Sequence, residues 1–271
     1  MCYSKEVQLI TSLILLISTI FYYFYYKHKY KDSEKKWLKP FLYSTTAIFL
    51  CIGLHQFFEF LSLVTNNTLI YKIGLIISIC AVYFIIRSLE ILSNTKLYSY
   101  LAFIPIALVS IQILLSQLTF QSFSFYLRHN SAFLWAATWF LLFIYWHVCA
   151  FKIYSEIKDD ASRKTLLIYL LTIADISFIL SAIYIYVGYA FFGVNVCTDS
   201  PSIWCTFSVI QSFLIPILFF RLGNAFKRIT IPKKIKVKQL ITYFLISLLI
   251  LLIWVLTLPL FNCLTWKFVF P

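Results

Sequence analysis

From Val7 to Tyr26 the chain runs for 20 residues without a charge. Wound as a helix at about 1.5 Å per residue, such a run is about 30 Å long, the thickness of the hydrocarbon core of a bilayer. Comparable runs recur near 41–64, 70–93, 99–118, 131–151, 165–192, 203–220 and 239–260, so that about eight spans are expected. The 271 residues are 62% hydrophobic and only 12% charged, too apolar for a soluble domain. The expected fold is therefore all-α: a polytopic transmembrane helical bundle forming one domain over residues 1–271, with no internal repeat or low-complexity linker. Pro105 and Pro216 are expected to kink the fourth and seventh spans, whose freed carbonyls neighbouring helices can satisfy.

Orientation follows from where the basic residues fall. Six lysines (Lys27, Lys29, Lys31, Lys35, Lys36, Lys39) follow the first run, and Arg87 and Lys96 follow the third. Four more (Lys152, Lys158, Arg163, Lys164) follow the fifth, and seven lie between Arg221 and Lys238 after the seventh. These are 19 of 23, leaving only Lys5, Lys72, Arg128 and Lys267 for the opposite side. The expectation is that the odd-numbered loops are cytoplasmic and both termini lie outside. The net charge of +13 then reflects topology and attraction to anionic lipid at the cytoplasmic face, not nucleic acid. Tyr22, Tyr23, Tyr25 and Tyr26, against Lys27, read as an aromatic belt at the inner interface, and the first run is too long for the core of a cleaved signal peptide.

Within this apolar background Gly53-Leu54-His55-Gln56-Phe57-Phe58-Glu59-Phe60 places an imidazole, an amide and a carboxylate in one span. His55 and Glu59 stand four apart and are expected to touch, on a face shared with Ser44, Cys51 and Ser62, with Gln56 about a quarter-turn away. An ionisable group in hydrocarbon costs on the order of 3 kcal/mol even on lenient scales, so this face should turn inward and leave Phe57, Phe58 and Phe60 to the acyl chains. Gln112 in the fourth span and Gln211 in the seventh fall at similar depth and are expected to line the same outward-facing pocket. Asp175, a further candidate binding residue, lies deep in the sixth span, with Thr172 one turn away and His147 at compatible depth. Arg87 and Glu90, three apart at the basic end of the third span, read as a structural ion pair.

Met1-Cys2-Tyr3-Ser4, a basic loop after one span, and Gly53-x-His55-Gln56-x-x-Glu59 in the second resemble a group of small bacterial multi-pass membrane proteins. These open Met-Cys-Phe-Ser and carry Gln- or His-Gln-x-x-Glu in the second helix; Tyr3 departs from their Phe. The resemblance covers about the first 60 residues, matches Cys2, His55, Gln56 and Glu59, and implies a bacterial inner membrane. It carries no established activity.

Cys2, Cys197, Cys205 and Cys263 are expected on the oxidising side, with Cys197 paired to Cys205 and Cys2 to Cys263; Cys51 and Cys80 lie in the membrane. A metallohydrolase would need about three ligands at one depth, whereas His55, His129, His147 and Asp175 are spread from the outer surface to the inner half. No Ser-His-Asp spacing, phosphate loop or buried Schiff-base lysine is present, and Arg87-Ser88-Leu89-Glu90 and Ile215-Pro216-Ile217 stand where animal seven-helix receptors carry their signature elements. Two readings lead, with a membrane-embedded metallohydrolase kept as a third behind them and the cofactor unknown. One is transport or ligand and proton sensing through His55, Gln56 and Glu59. The other is a scaffold in which the same groups only bond neighbouring helices.

Overall fold

The computed structural model describes residues 5–31, 36–93 and 99–115, with isolated helical positions between 138 and 249. Among the described residues the secondary structure is helical: α1 (Lys5–Lys29), α2 (Leu38–Thr65), α3 (Thr68–Ser93), a 3₁₀ turn (Ser99–Ala102) and α4 (Phe103–Leu115). Three of these helices, α1, α2 and the Thr68–Ser88 part of α3, are long and apolar enough to cross a membrane. The described part of the fourth expected span, Ser99–Leu115, is shorter. The runs near 131–151, 165–192, 203–220 and 239–260 lie almost wholly outside the described residues.

The polarity of α1 is arranged as a bilayer demands. Gln8, Thr11, Ser12, Leu15, Thr19, Tyr22 and Tyr26 recur at helical spacing and are all buried. Ile10, Ile17, Phe21 and Phe24 on the opposite face are exposed. A soluble helix does the reverse, because water, not lipid, surrounds it.

α2 lies between α1 and α3, packing on both, and α4 packs on α3. Two glycines permit the close approaches. A Cβ on Gly53 would come within 3.1 Å of Leu16 Cδ2 and 3.3 Å of Leu15 Cβ. One on Gly74 would stand 3.0 Å from Phe58 Cβ and 3.4 Å from the His55 carbonyl oxygen. The aromatic side of α2 is thus not given over to lipid as expected: Phe57, Phe58 and Phe60 are half-buried, and Phe58 packs on the bare backbone of Gly74.

α1 runs through Lys29, and Tyr30 N–H still bonds the Tyr26 carbonyl. Tyr26 and Tyr30 stack with centroids 5.4 Å apart, and Tyr23 meets Tyr43 of α2 at 5.7 Å. The belt therefore ties the basic ends of α1 and α2 together. At the other end α2 turns into α3 through Asn66 and Asn67. Asn66 adopts a left-handed conformation (φ 51°), its N–H and that of Asn67 both reach the Ser62 carbonyl, and Asn67 Oδ1 accepts from Leu69 N–H at 2.9 Å. Positive φ costs a side chain with a branched β-carbon about 1–2 kcal/mol. Asn66→Val should lower thermal stability by that amount in detergent, and Asn66→Gly should not.

The expected ion pair is present, Arg87 Nη1 to Glu90 Oε2 at 2.7 Å, and Glu90 does more than pair. Its two oxygens accept from Ser99 N–H at 2.9 Å and Ser99 Oγ at 2.8 Å, fixing the start of the 3₁₀ turn. Because that turn delays the α-helix to Phe103, Pro105 falls in the first turn of α4, where no intrahelical N–H bond is lost. The kink expected at Pro105 has no cause here, and Pro216 lies outside the described residues.

Candidate functional site

The inward face of α2 carries the residues the sequence pointed to. Ser44, Cys51, His55, Glu59 and Ser62 are all buried, and Gln56 is fully so. At about 100° per residue, the buried positions from Cys51 round to Thr46 cover roughly 220° of the helix circumference. Gly53 falls on the α1 side of this arc and Phe58 beyond its α3 edge, which sets Gln56 and Glu59 between the two neighbours.

Register brings two further residues to the same level. With Gly53 against Leu15 and Leu16, antiparallel α1 and α2 place Ser12 level with Gln56 and Gln8 level with Glu59. With Gly74 against His55 and Phe58, Tyr71 falls level with Glu59. Gln8 and Tyr71 were not among the sequence candidates, since each sits near the start of an apolar run. The signal for Gln8 was its place at the head of the Gln8-Thr11-Ser12-Leu15-Thr19 spacing.

Hydrogen bonding divides the buried polar residues into two kinds. Apart from Thr19 Oγ1, which has no partner among the described residues, the α1 and α2 hydroxyls at these levels are satisfied inside their own helices: Thr11 Oγ1 donates to the Val7 carbonyl at 2.8 Å, Ser12 to Leu9 at 2.8 Å, Thr45 to Phe41 at 3.0 Å and Ser62 to Glu59 at 2.7 Å. Such back-bonding makes them packing residues. The longer side chains have no such recourse. Both polar atoms of Gln8, both of Gln56, and Glu59 Oε2 are buried without a hydrogen-bond partner among the described residues. The exposures are 0% for Gln8, 0% for Gln56 and 3% for Glu59.

Among the described residues the one ion pair is Arg87–Glu90, so His55 and Glu59 form none. Their shared face is real, but the His55 ring is turned to α3, where Nδ1 would lie 3.5 Å from a Cβ on Gly74. Gln112 is half-buried on α4, which packs on α3, while the described neighbours of α2 are α1 and α3. Lys72 Nζ donates to the Leu114 carbonyl at 3.1 Å, holding the end of α4 to the start of α3.

No family model, curated protein or solved structure matches the chain. The geometry of the buried amides and carboxylate therefore stands on its own.

Among the described residues no three His, Cys, Asp or Glu side chains are grouped as metal ligands. Cys51 and Cys80 are free thiols, and no disulfide is formed among the described residues. Cys2, Cys197, Cys205 and Cys263, the cysteines of both expected pairs, lie outside them, as do Asp175, His129, His147 and Gln211.

Proposed function

We propose that this is an eight-span protein of a bacterial inner membrane, both termini outside, whose first three spans hold an intramembrane site for a small hydrogen-bonding solute or a proton. The basic loops and the resemblance of the first 60 residues support the topology and the location. One observation carries the site. Gln8, Gln56 and Glu59 bring five buried polar atoms within one to two helical turns of one another, between α1 and α3, and no protein group among the described residues meets their hydrogen bonds. An unmet buried polar group costs about 1–3 kcal/mol, so a set of five is kept only where something other than a neighbouring helix uses it. Two amides supply donors and acceptors together, and one carboxylate supplies a proton carrier or the counter-charge for a cation. This favours transport or sensing over the scaffold reading, in which the same side chains would be bonded across helices.

The test is proton or solute movement in liposomes reconstituted with the full chain and loaded with a pH-sensitive dye. Glu59→Gln keeps the shape and most of the hydrogen-bonding capacity but removes the titrating group. Flux under an imposed pH gradient should fall about a hundredfold or more, the usual scale for loss of a positioned proton-transfer group, with helicity unchanged. Equal flux through wild-type and Glu59→Gln liposomes would refute the proton arm, and unchanged flux in Gln56→Met as well would remove the site.

A further inference from the structure

At the basic end, far from the site above, the last turns of α1 and the first of α2 enclose a cleft of about 150 Å³. Three lysines, Lys27, Lys31 and Lys39, line it. Two are held in place. Lys27 Nζ rests 5.5 Å from the centre of the Tyr23 ring, and Lys39 Nζ donates to the Lys31 carbonyl oxygen at 2.9 Å, reaching from α2 back to the end of α1. None of the three is paired with a carboxylate among the described residues. Tyr23, Tyr26 and Tyr30 supply the walls, the last two almost fully buried and stacked on one another.

Three cations gathered with no carboxylate paired to them among the described residues repel one another, and an anion between them relieves that repulsion. The level of the cleft narrows what that anion is. It lies at the end of two apolar helices, beside the tyrosine belt, where phospholipid headgroups sit. We propose that it binds the phosphate of one anionic phospholipid, with Lys27, Lys31 and Lys39 around the phosphate oxygens and the tyrosine rings against the glycerol and upper acyl chain. Tyrosine hydroxyls suit the same task. Burial first, and Tyr25 second, pushes the Tyr30 phenol up to about 12, so it keeps a proton to donate. The occupant would tie α1 to α2 as a third element of the hairpin, which makes this a specific site and not the diffuse attraction that the +13 charge alone would exert.

Full-length protein in a zwitterionic detergent, titrated with dioctanoyl phosphatidic acid, dioctanoyl phosphatidylcholine or inorganic phosphate, tests this by native mass spectrometry. One phosphatidic acid adduct should persist at concentrations where the other two leave none. Each lysine near an anionic group contributes roughly fivefold in affinity, so K27Q/K31Q/K39Q together should weaken binding about a hundredfold. The corresponding triple arginine variant should retain it. K29Q/K36Q/K238Q removes the same charge from described residues that do not line the cleft and should change affinity by only a few fold. Equal loss in the two glutamine triples would overturn the site in favour of diffuse electrostatics. Inorganic phosphate or phosphatidylcholine bound as tightly as phosphatidic acid would overturn the anionic-lipid assignment.

Discussion

Replacing both Gln8 and Gln56 by Met should make the protein harder to unfold, not easier. Met keeps the length and the unbranched shape of Gln, so packing between α1 and α2 survives, and four buried polar atoms without partners are removed. Two amides at about 1–3 kcal/mol each give an expected gain of about 2–6 kcal/mol, read as a raised unfolding midpoint in detergent. The sign decides between the two functional readings. If the glutamines were interhelical glue, each substitution would forfeit a bond worth about 0.6 kcal/mol on average in membrane proteins, and the midpoint would fall. A gain in stability accompanied by loss of flux is the pattern of a site kept for its chemistry at the cost of stability.

Glu90→Ala should have the largest destabilising effect of any single polar substitution at the basic end. The change removes three bonds at once, to Arg87 Nη1, Ser99 N and Ser99 Oγ, and leaves a buried backbone N–H without its acceptor. The N–H accounts for about 1–3 kcal/mol. Arg87 is half-exposed and adds no more than about 1 kcal/mol, for a total of about 1–4 kcal/mol in thermal or denaturant unfolding. Glu90→Gln keeps acceptors for Ser99 and should lose less, and Arg87→Ala least. Were Arg87→Ala as costly as Glu90→Ala, the ion pair and not the anchoring of the 3₁₀ turn would be what Glu90 contributes.

The extents of α1, α2 and α3 were legible in the sequence to within a few residues, because hydrocarbon thickness dictates the length of an uncharged run. So was the inward face of α2, since the energy of a carboxylate in lipid leaves it one direction to point. What lay beyond reach depended on neighbours. His55 and Glu59 share a face, but whether they touch depends on rotamers that Gly74 decides from another helix. Gln8 is one polar residue in a long apolar run until register with α2 sets it beside Glu59. Pro105 reads as a kink until the 3₁₀ turn, held by a carboxylate nine residues before it, moves the helix start. Glu90 was recognised by its i, i+3 partner and not by its tie to Ser99, which no periodicity reveals.

The turn at Asn66 and Asn67 bears on how the chain enters the bilayer during synthesis. α2 is the costliest of the described helices to transfer from water, with His55, Gln56 and Glu59 in mid-span, whereas α3 carries only Ser78 and Ser88 as buried polar residues between Tyr71 and Ser88. Two residues are too few to let one helix partition while the other waits in an aqueous channel. The two are therefore expected to be transferred as a single hairpin, the apolar free energy of α3 offsetting the polar residues of α2 at the moment of insertion.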